Sequence, residues 1–311
     1  MSEFSLINRY FKSLTAKSAL TAVGIGDDCA VSRIPPDCQL VSCVDTLVMG
    51  RHFPDSTCAH AIGYKSVAVN LSDVASMGAT PYALLLGLSL PVELANDAWL
   101  GEFVQGLKDI CTTYNVELIG GDTTRSDVLT ISITALGFVP VGQAIKRSGA
   151  KVGDVICVSG EIGLASYALS QILQGKPTTL QSALDYPVPQ VKLGQELLGV
   201  ANSMIDISDG LGQDLGHILT ASDVGAVLWL DKIPCADILN ALPAPEKYQH
   251  ILNGGDDYQL CFTLKKDEFE RFNADNPNRI YVIGEIVGGR GLQLLDKGEV
   301  VEFEIKGWEH F

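Results

Sequence analysis

The sequence has no long hydrophobic run and few basic residues, and both shortages limit its partners. The longest apolar stretch, 83–91, is interrupted by Gly87 and Ser89 and falls far short of the roughly 20 residues that cross a bilayer. The first residues lack the basic and apolar regions of a signal peptide. Lys and Arg number 22 against 37 Asp and Glu, and the net charge of −15 disfavours nucleic acid and anionic membranes as partners. We therefore expect a cytoplasmic protein that binds neither.

The cysteines and lysines also lack the patterns of several common sites. The eight cysteines form no C-x-x-C pair and show no zinc spacing, so they are expected to be reduced thiols. No G-x-x-x-x-G-K-[ST] loop or protein-kinase motif set is present, and Cys29 stands where G-x-G-x-x-G requires its third glycine. These absences disfavour the phosphate-binding classes that are built on a lysine.

Length and composition favour two domains, each with its own core. The chain has 311 residues, of which 47% are apolar and 19% are charged, so global disorder is disfavoured. The composition turns polar and glycine-rich at 147–154, and a boundary there gives domains 1–147 and 148–311. Both domains mix strand and helix patterns, which predicts a mixed α/β (α+β) fold class.

Hydrophobic periodicity predicts strands and helices along the whole chain. A short amphipathic helix is expected where Phe4, Ile7, Tyr10 and Phe11 recur at helical spacing. Further helices are predicted at 60–77, 97–114, 163–173, 190–200, 211–221 and from Asp267 onward. Strands are predicted at 40–46, 82–90, 116–119, 128–139, 155–159, 226–230, 258–264 and 279–286, with a closing hairpin at 292–295 and 300–305.

What the sequence does contain is four glycine turns rich in aspartate, at 24–30, 120–124, 206–210 and 254–257. Glycine lets the backbone approach a ligand closely, and adjacent carboxylates repel each other unless they share a proton or a cation. Oxygen ligands favour magnesium or calcium over zinc or copper, and no EF-hand loop is present. The turns are therefore predicted to converge on bound metal and nucleotide phosphate. The carboxylates without nearby basic partners, in the turns and elsewhere in the chain, are Asp27, Asp28, Asp45, Asp73, Asp122, Asp206 and Asp209.

Other features support a phosphate site. Asp73 lies in a polar stripe with Ser66 and Asn70 on a mostly apolar helix, where an unpaired carboxylate is costly. The 206–209 segment precedes a helix whose free N–H groups and positive dipole end suit phosphate oxygens. Arg147 follows a long strand and can clamp a phosphate with its guanidinium.

Each feature also has a simpler explanation. A Gly-Asp pair is usually only a turn, and Ser208 or Asp209 can cap the following helix. His52 taken alone is more often a loop histidine than a substrate contact, and Trp308 alone is more often a packing residue. Only the combination of four acidic turns with a carboxylate on an apolar helix favours one chemistry over these explanations.

One set of motifs follows in order across nearly the whole chain: 24–30, 45–48 with 52–53, 68–73, 118–124, 147–150, 205–211 and 254–258. Together they resemble the bacterial thiamine-monophosphate kinases, within the superfamily of aminoimidazole ribonucleotide synthetase-like ATP enzymes. The resemblance implies a two-domain fold and transfer of the ATP γ-phosphoryl group to thiamine monophosphate, giving thiamine diphosphate and ADP, with several Mg²⁺ ions. It also implies a homodimer whose interface the N-terminal sheet forms, with ATP bound near that interface.

The resemblance assigns site residues position by position. The metal ligands it implies are Asp28, Val44, Asp45, Asp73, Asp122, Asp206 and Asp209. The nucleotide contacts are Gly121, Asp122, Arg147 and Ser208, and the contacts to the thiamine substrate are His52, Asp256 and Trp308. The residues expected to serve catalysis are Asp122, Arg147 and Asp209.

The chain departs from the family pattern at two motifs, and the last aromatic, matched here to Trp308, varies among relatives. It has Cys43-Val44 where the family often has Ser-Thr, which matters only if the family's ligands are hydroxyls rather than main-chain carbonyls. It has Asp256 where Glu is common, so the carboxylate reaches about one methylene less far. Two alternatives stay open: another ATP-using enzyme of the superfamily, a cyclo-ligase or a selenophosphate-forming enzyme, and a catalytically silent dimer that binds nucleotide and metal.

Overall fold

The computed structural model describes residues 7–14 and 18–307, and Trp308 lies outside them. The chain divides into two compact units, Met1–Val74 with Ala79–Gly142 and Ala75–Gly78 with Gln143–Phe311. The boundary after residue 147 stays a prediction. Both units mix strands and helices, as the sequence patterns predict.

The first unit contains a four-stranded sheet and a separate short hairpin. Its strands are β1 (Thr21–Val23), β2 (Val31–Ser32), β3 (Cys38–Val48), β4 (Thr80–Leu90), β5 (Glu117–Arg125) and β6 (Thr130–Pro140). The sheet has the order β3-β6-β4-β5, and β1 pairs only with β2. Neighbours are antiparallel except β4 and β5, which are parallel and need a crossover. The order leaves β3 and β5 as the two edges.

Two long helices, α1 (Ala59–Ser76) and α2 (Asp97–Tyr114), complete this unit. Asn96 caps α2, since its side chain accepts the N–H groups of Ala98 and Trp99 at 3.1 and 3.0 Å. A Cβ at Gly63 of α1 or Gly106 of α2 would collide with a carbonyl oxygen of the other helix. The two backbones therefore touch where these glycines face each other.

The N-terminal segment differs from the predicted amphipathic α-helix. Ile7–Phe11 forms a π-helical turn and Lys12–Leu14 a 3-10 turn, so the described part is only two short turns. Phe4, which the helical pattern includes, lies outside the described residues.

The second unit is built on a seven-stranded sheet of order β13-β12-β9-β11-β7-β10-β8. Its strands are β7 (Asp154–Val158), β8 (Ser203–Asp206), β9 (Gly225–Trp229), β10 (Leu260–Lys265), β11 (Tyr281–Val287), β12 (Gly291–Asp296) and β13 (Glu299–Val301). Its helices are α3 (Leu164–Leu173), α4 (Gln181–Asp185), α5 (Val191–Glu196), α6 (Leu211–Ser222), α7 (Asp237–Asn240), α8 (Ala244–Asn253) and α9 (Lys266–Asp275), with a 3-10 turn at Leu230–Lys232. All neighbouring strands are antiparallel except β12 and β9.

The strongly periodic elements are predicted within a few residues of their bounds, including the closing hairpin of β12 and β13. The elements missing from the sequence prediction are the β1–β2 hairpin, β8, the helices α4, α7 and α8, and the 3-10 turn at Leu230–Lys232. The helix predicted at 190–200 ends at Glu196. In the described part of the chain, no helix is long and apolar enough to cross a membrane.

Candidate active site

The first glycine turn lies at the tip of the β1–β2 hairpin, where a turn is predicted. Gly26 has φ +126°, a conformation that residues with side chains rarely adopt. The N–H of Asp28 donates to Asp27 Oδ1 at 2.9 Å, and both residues are exposed. The hairpin thus presents two carboxylates to solvent.

The polar stripe of α1 faces β3. Asn70 is fully buried, its Oδ1 accepts the N–H of Asp45 at 3.1 Å, and its Nδ2 donates to the Ser66 carbonyl at 3.0 Å. Cys43 Sγ donates to the Asn70 carbonyl at 3.5 Å. Burial, and then the Asp73 and Asp45 carboxylates, raise the pKa of the Cys43 thiol well above its ordinary value. The structure therefore brings Asp45 and Asp73 together around one thiol, and Asn70 links the helix to the strand.

Val44 lies between Cys43 and Asp45 but projects from the other face of β3. Its side chain is 62% exposed, as expected from the alternation of side chains along a strand. An isopropyl group is not a metal ligand, so the main-chain carbonyl is the group that Val44 offers to a cation.

Asp122 lies in a strand, so the predicted turn at 120–124 is wrong. β5 continues through both glycines to Arg125. Leu84 pairs with Leu118 and Leu85 with Gly120, so one extra residue bulges from β5 just before the glycines. A Cβ at Gly121 would collide with the main chain of β4. Glycine therefore occupies position 121 because the two strands approach closely there. Asp122 follows this bulge and is exposed.

Asp45 and Asp122 lie on opposite edges of the four-stranded sheet, since β6 and β4 separate β3 from β5. Asp45 pairs with Ile133, Ile133 with Leu86, and Leu86 with Gly121, so the two aspartates lie at nearly the same height. Three strand spacings separate them, roughly 14 Å at about 4.8 Å each. A Mg²⁺ ion binds oxygen at about 2.1 Å, so within one chain a single ion cannot bind both carboxylates.

His52 lies in the turn after β3. The N–H of Val48 donates to His52 Nδ1 at 3.0 Å, and the His52 N–H donates to the Val48 carbonyl at 3.0 Å. Because Nδ1 is an acceptor in this bond, the neutral ring has its proton on Nε2. The ring is therefore held in one orientation with a single N–H donor.

In the second unit, the two acidic glycine motifs contact each other. The N–H of Asp256 donates to the Ser208 carbonyl at 3.0 Å, and the N–H of Tyr258 donates to the Ile207 carbonyl at 2.8 Å. A Cβ at Gly255 would collide with the Ser208 carbonyl oxygen. Glycine is thus required at 255 because the two loops touch through their main chains.

The 254–258 loop also contains backbone strain. Asp256 has φ +68° and Tyr258 φ +50°, the left-handed region that residues with side chains rarely occupy. The Tyr258 hydroxyl donates to Asp256 Oδ1 at 3.1 Å. Such strain concentrates at functional sites, where the surroundings impose it. It supports a role for Asp256, and Tyr258 is a contributor that sequence reasoning missed.

Asp214 changes the interpretation of the 206–210 turn. Its Oδ2 accepts the N–H groups of Ser208, Asp209 and Gly210 at 3.0, 3.1 and 3.2 Å. These N–H groups are therefore not free for a phosphate, contrary to the expectation from the sequence. Burial, and then the Asp206 and Asp209 carboxylates, raise the pKa of Asp214 to about 8. Asp214 lies four residues after the N-cap Gly210, one residue beyond the capping-box spacing, and its only sequence signal is that it is an acidic residue in the first turn of the helix.

Asp257, next to Asp256, is a second carboxylate for which the sequence predicts no separate role. Both of its oxygens accept the N–H of Gly163 at 2.9 Å, at the start of α3. Desolvation is the main cause that raises the pKa of Asp257 well above its ordinary value, and Asp256 and Asp214 act in the same direction. Asp257 therefore fastens the 254–258 loop to a helix N-terminus.

Arg147 has an exposed side chain, and its carbonyl accepts the Ser222 hydroxyl at 3.3 Å. Among the described residues, no three His, Cys, Asp or Glu side chains lie close enough together to hold a metal ion. The proposed carboxylates therefore do not form a preformed cage in this part of the chain.

Family models match both halves of the chain. AIR synthase related protein, N-terminal domain, matches residues 26–139, and AIR synthase related protein, C-terminal domain, matches residues 151–297. A thiamine-monophosphate kinase from Escherichia coli O157:H7 is 41% identical over 322 residues, which cover 99% of this chain and 98% of that protein.

Two solved structures are similar over nearly their whole length. The crystal structure of thiamine-monophosphate kinase from Stenotrophomonas maltophilia K279a has a TM-score of 0.86 at 39% identity and covers 97% of this chain and 98% of its own. The structure of AaThiL complexed with AMPPCP and TMP has a TM-score of 0.79 at 31% identity and covers 99% and 97%. The similarity thus extends over both units rather than one motif.

Proposed function

This chain belongs to the thiamine-monophosphate kinases, a family of AIR synthase-related proteins, and on that premise we propose how its residues transfer the γ-phosphoryl group of ATP to thiamine monophosphate. The products are thiamine diphosphate and ADP. The resemblance found in the motifs, the two-domain mixed α/β fold and the ATP-dependent phosphotransferase class are confirmed. The observation that carries the proposal is the full-length identity to such kinases, joined to four acidic segments placed on loops and strand ends.

Several Mg²⁺ ions are the cations that fit these donors. All the side-chain donors proposed are carboxylate oxygens, and Mg²⁺ commonly takes one or two carboxylates and completes its shell with water and substrate phosphate. Asp45 with Asp73 would hold one ion, with the Val44 carbonyl nearby, and Asp206 with Asp209 another. The separation of Asp122 from Asp45 supports a different ion at Asp122, and Asp28 on its exposed hairpin can bind a further one.

The reaction needs charge neutralisation and alignment more than proton transfer. The acceptor is a phosphate that is already ionised near neutral pH, so no general base is required. Bound Mg²⁺ would offset the repulsion between the two anions. The chain's own contribution is to bind and orient: Asp122, Arg147 and Asp209 at the reacting phosphates, with Gly121 and Ser208 against the nucleotide.

The thiamine end of the acceptor needs different contacts. Its thiazolium ring is cationic, and Asp256, whose carboxylate the Tyr258 hydroxyl orients, can complement that charge. His52 offers one N–H donor in a fixed orientation, and Trp308 could supply an aromatic face for a cation. Asp256→Ala is expected to raise the apparent binding constant for thiamine monophosphate more than that for ATP. An equal change in both constants would remove Asp256 from the thiamine site.

We also propose a cytoplasmic homodimer in which residues 1–147 form the ATP- and metal-binding and dimerisation domain. The edge strand β3 supports this, since it is 11 residues long and leaves Leu40 and Val44 48% and 62% exposed. All eight cysteines are free, which suits a reducing compartment.

Phosphorus NMR of the purified protein with ATP, Mg²⁺ and thiamine monophosphate tests the activity directly. We expect thiamine diphosphate and ADP, both lost when EDTA removes the metal. ADP with free phosphate would indicate a different acceptor in the same superfamily. ATP binding without any turnover would favour the silent nucleotide-binding dimer.

Asp73→Asn tests the metal assignment. The folded variant is expected to lose Mg²⁺-dependent turnover, because an amide is a poor substitute for a carboxylate at a cation. Near wild-type activity in a variant with an unchanged unfolding midpoint would remove Asp73 from the ligand set.

A further inference from the structure

The β1–β2 hairpin, which presents Asp27 and Asp28, is attached to the first unit mainly through side chains. It pairs with no strand of the four-stranded sheet in the described part of the chain. The main-chain bonds at its base stay within the segment: Thr21 N–H to the Ser18 carbonyl and Arg33 N–H to the Leu20 carbonyl. Strands of two and three residues are marginal by themselves. Something else must therefore determine where the hairpin tip lies.

Tyr82 contacts both strands of the hairpin at once. Its hydroxyl oxygen lies 2.6 Å from Thr21 Oγ1 on β1 and 2.8 Å from Ser32 Oγ on β2. Thr21 and Ser32 are also opposite each other in the hairpin register. The Tyr82 side chain is 5% exposed, and its ring lies 5.0 Å from the Phe138 ring. One hydroxyl on a rigid strand of the sheet therefore fastens both strands at the base of the hairpin.

Glu117 holds the same end of the hairpin. It is 2% exposed, its Oε1 accepts the Ser18 N–H at 3.1 Å, and its Oε2 accepts the Thr21 hydroxyl at 3.1 Å. The Thr21 hydroxyl thus donates to a buried carboxylate, and the Tyr82 hydroxyl, which contacts Thr21 Oγ1, donates to Ser32 Oγ. Hydrogen bonds to a charged group are stronger than neutral ones, so the carboxylate strengthens the attachment of β1.

The clamp formed by Tyr82 and Glu117 lies away from the proposed reacting groups. Glu117 begins β5 and Asp122 lies further along it, roughly 17 Å away at about 3.3 Å per residue. Tyr82 is near the start of the parallel neighbour β4, so both clamp residues lie at one end of the sheet. Neither side chain is placed to touch the phosphates that Asp122 would serve.

We propose that Tyr82 and Glu117 are positioning residues for the kinase reaction. They fix the base of the hairpin, and through it they fix the Asp28 carboxylate where it can bind the cation at the substrate phosphates. The predicted effect on the kinase reaction rests on the proposed function, whereas the attachment of the hairpin by Tyr82 and Glu117 does not. Loss of either clamp residue keeps the Asp28 carboxylate itself but allows its position to vary.

Hydrogen–deuterium exchange of the full chain without nucleotide or metal tests the geometry. In Tyr82→Phe, the amides of 21–32 are expected to exchange about tenfold faster, while those of α2 keep their wild-type rates. Glu117→Gln preserves the shape, removes the charge and is expected to act in the same direction. Tyr114→Phe, the same substitution on a half-buried tyrosine at the end of α2, is the matched control and should leave 21–32 unchanged. Unchanged exchange of 21–32 in both clamp variants overturns the proposal.

A Mg²⁺ titration of the kinase rate tests the consequence. Tyr82→Phe is expected to raise the half-saturating Mg²⁺ concentration at least fivefold and to keep kcat at saturating Mg²⁺ within about twofold. A purely structural role would lower the unfolding midpoint without moving the Mg²⁺ dependence, and that result contradicts positioning. In an Asp28→Asn background, Tyr82→Phe should add no further shift; additive effects would show that the clamp does not act through Asp28.

The two arms separate the possible failures. If wild-type protein makes no thiamine diphosphate, the proposed function fails, and the exchange experiment still decides whether the clamp orders the hairpin. If wild-type protein is active and exchange responds but the Mg²⁺ dependence does not, the positioning role is wrong and the function stands.

Discussion

At the scale of single residues, the second unit uses carboxylates in two different ways. Asp214 and Asp257 accept main-chain N–H groups and hold loops together, whereas Asp209 and Asp256 lie on those loops and Asp206 is the buried last residue of β8. An acid that accepts several N–H groups leaves few lone pairs for a cation. We therefore assign the first pair to loop structure and keep the second set for ligands.

The burial of Asp257 predicts a pH dependence of stability. Its pKa is raised in the folded protein, whereas an unfolded Asp titrates near 3.9. Above that pH the unfolded chain loses a proton that the folded protein keeps, so this group's contribution to stability falls as pH rises toward the folded pKa. Asp257→Asn does not titrate, so the wild-type unfolding midpoint should fall more between pH 5 and pH 8, in EDTA, than that of the variant.

Asp267→Asn is the control for this measurement. Asp267 is the second residue of α9 and its side chain is 64% exposed, so the Asp267→Asn variant is expected to show the same pH dependence of unfolding as wild type. Parallel profiles for wild type and Asp257→Asn would show that Asp257 does not titrate differently on folding.

Gly255→Ala is predicted to separate the two acidic loops. The added Cβ collides with the Ser208 carbonyl oxygen, and such overpacking costs about 1–3 kcal/mol. A displaced Ser208 and Asp209 should lower kcat/KM about a hundredfold, since misplacement of about 1 Å costs that much. Gly216→Ala in α6, where the Cβ meets nothing within 4 Å, should stabilise by about 0.5–1 kcal/mol and leave kcat/KM unchanged. Similar kinetics for the two variants would contradict the contact.

At the scale of elements, the close approach of α1 and α2 positions the Asp73 helix. α1 is buried along nearly its whole length and contacts α2 through Gly63 and Gly106. Because no side chains separate the backbones there, the crossing can be shifted only by breaking the contact. The carboxylate pair of Asp45 and Asp73 depends on this packing, since Asp73 is on α1 and Asp45 on β3.

Gly106→Ala should disrupt that crossing. Its Cβ collides with the His60 carbonyl, so we expect a loss of about 1–3 kcal/mol in unfolding free energy. Gly101→Ala on the same helix, with nothing within 4 Å of its Cβ, should instead gain about 0.5–1 kcal/mol. Urea unfolding of both variants measures the difference. Equal effects would mean that the two helices do not touch at Gly106.

At the scale of the whole molecule, the net charge of −15 must be reconciled with two anionic substrates. Carboxylates that repel phosphate directly attract it when a divalent cation lies between them. Activity should therefore depend steeply on Mg²⁺ and little on the sparse lysines.

The proposed dimer predicts the effect of a charge on β3. Leu40→Lys places an ammonium on the exposed apolar face of the edge strand, so the protein should sediment as a monomer where wild type sediments as a dimer. Val92→Lys, at a position 56% exposed in the loop after β4, is the control and should remain dimeric. A monomeric wild type, or a dimeric Leu40→Lys, would rule out this face.

The chemistry of this protein could be predicted from the order and spacing of its motifs, because residue types and their spacing are read directly from the sequence. The two long helices, the main strands and the acidic turns at 24–30, 206–210 and 254–257 follow from periodicity and glycine placement. Short elements such as β8 cannot be predicted in this way, since four residues are too few to show a hydrophobic periodicity. The turn that the sequence predicts at 120–124 is wrong because glycines mark bulges in strands as well as turns.

The tertiary structure alone decided which polar groups are available to a ligand. Residue type shows that Ser208, Asp209 and Gly210 precede a helix, but not that Asp214 accepts their N–H groups. Motif order likewise suggests that Asp45 and Asp122 serve one site, whereas the strand order puts them on opposite edges of a sheet. The physical reason is the same in both cases. A hydrogen bond or a distance involves two residues, and the second residue often lies far away in the sequence. Which residue it is depends on how the whole chain folds.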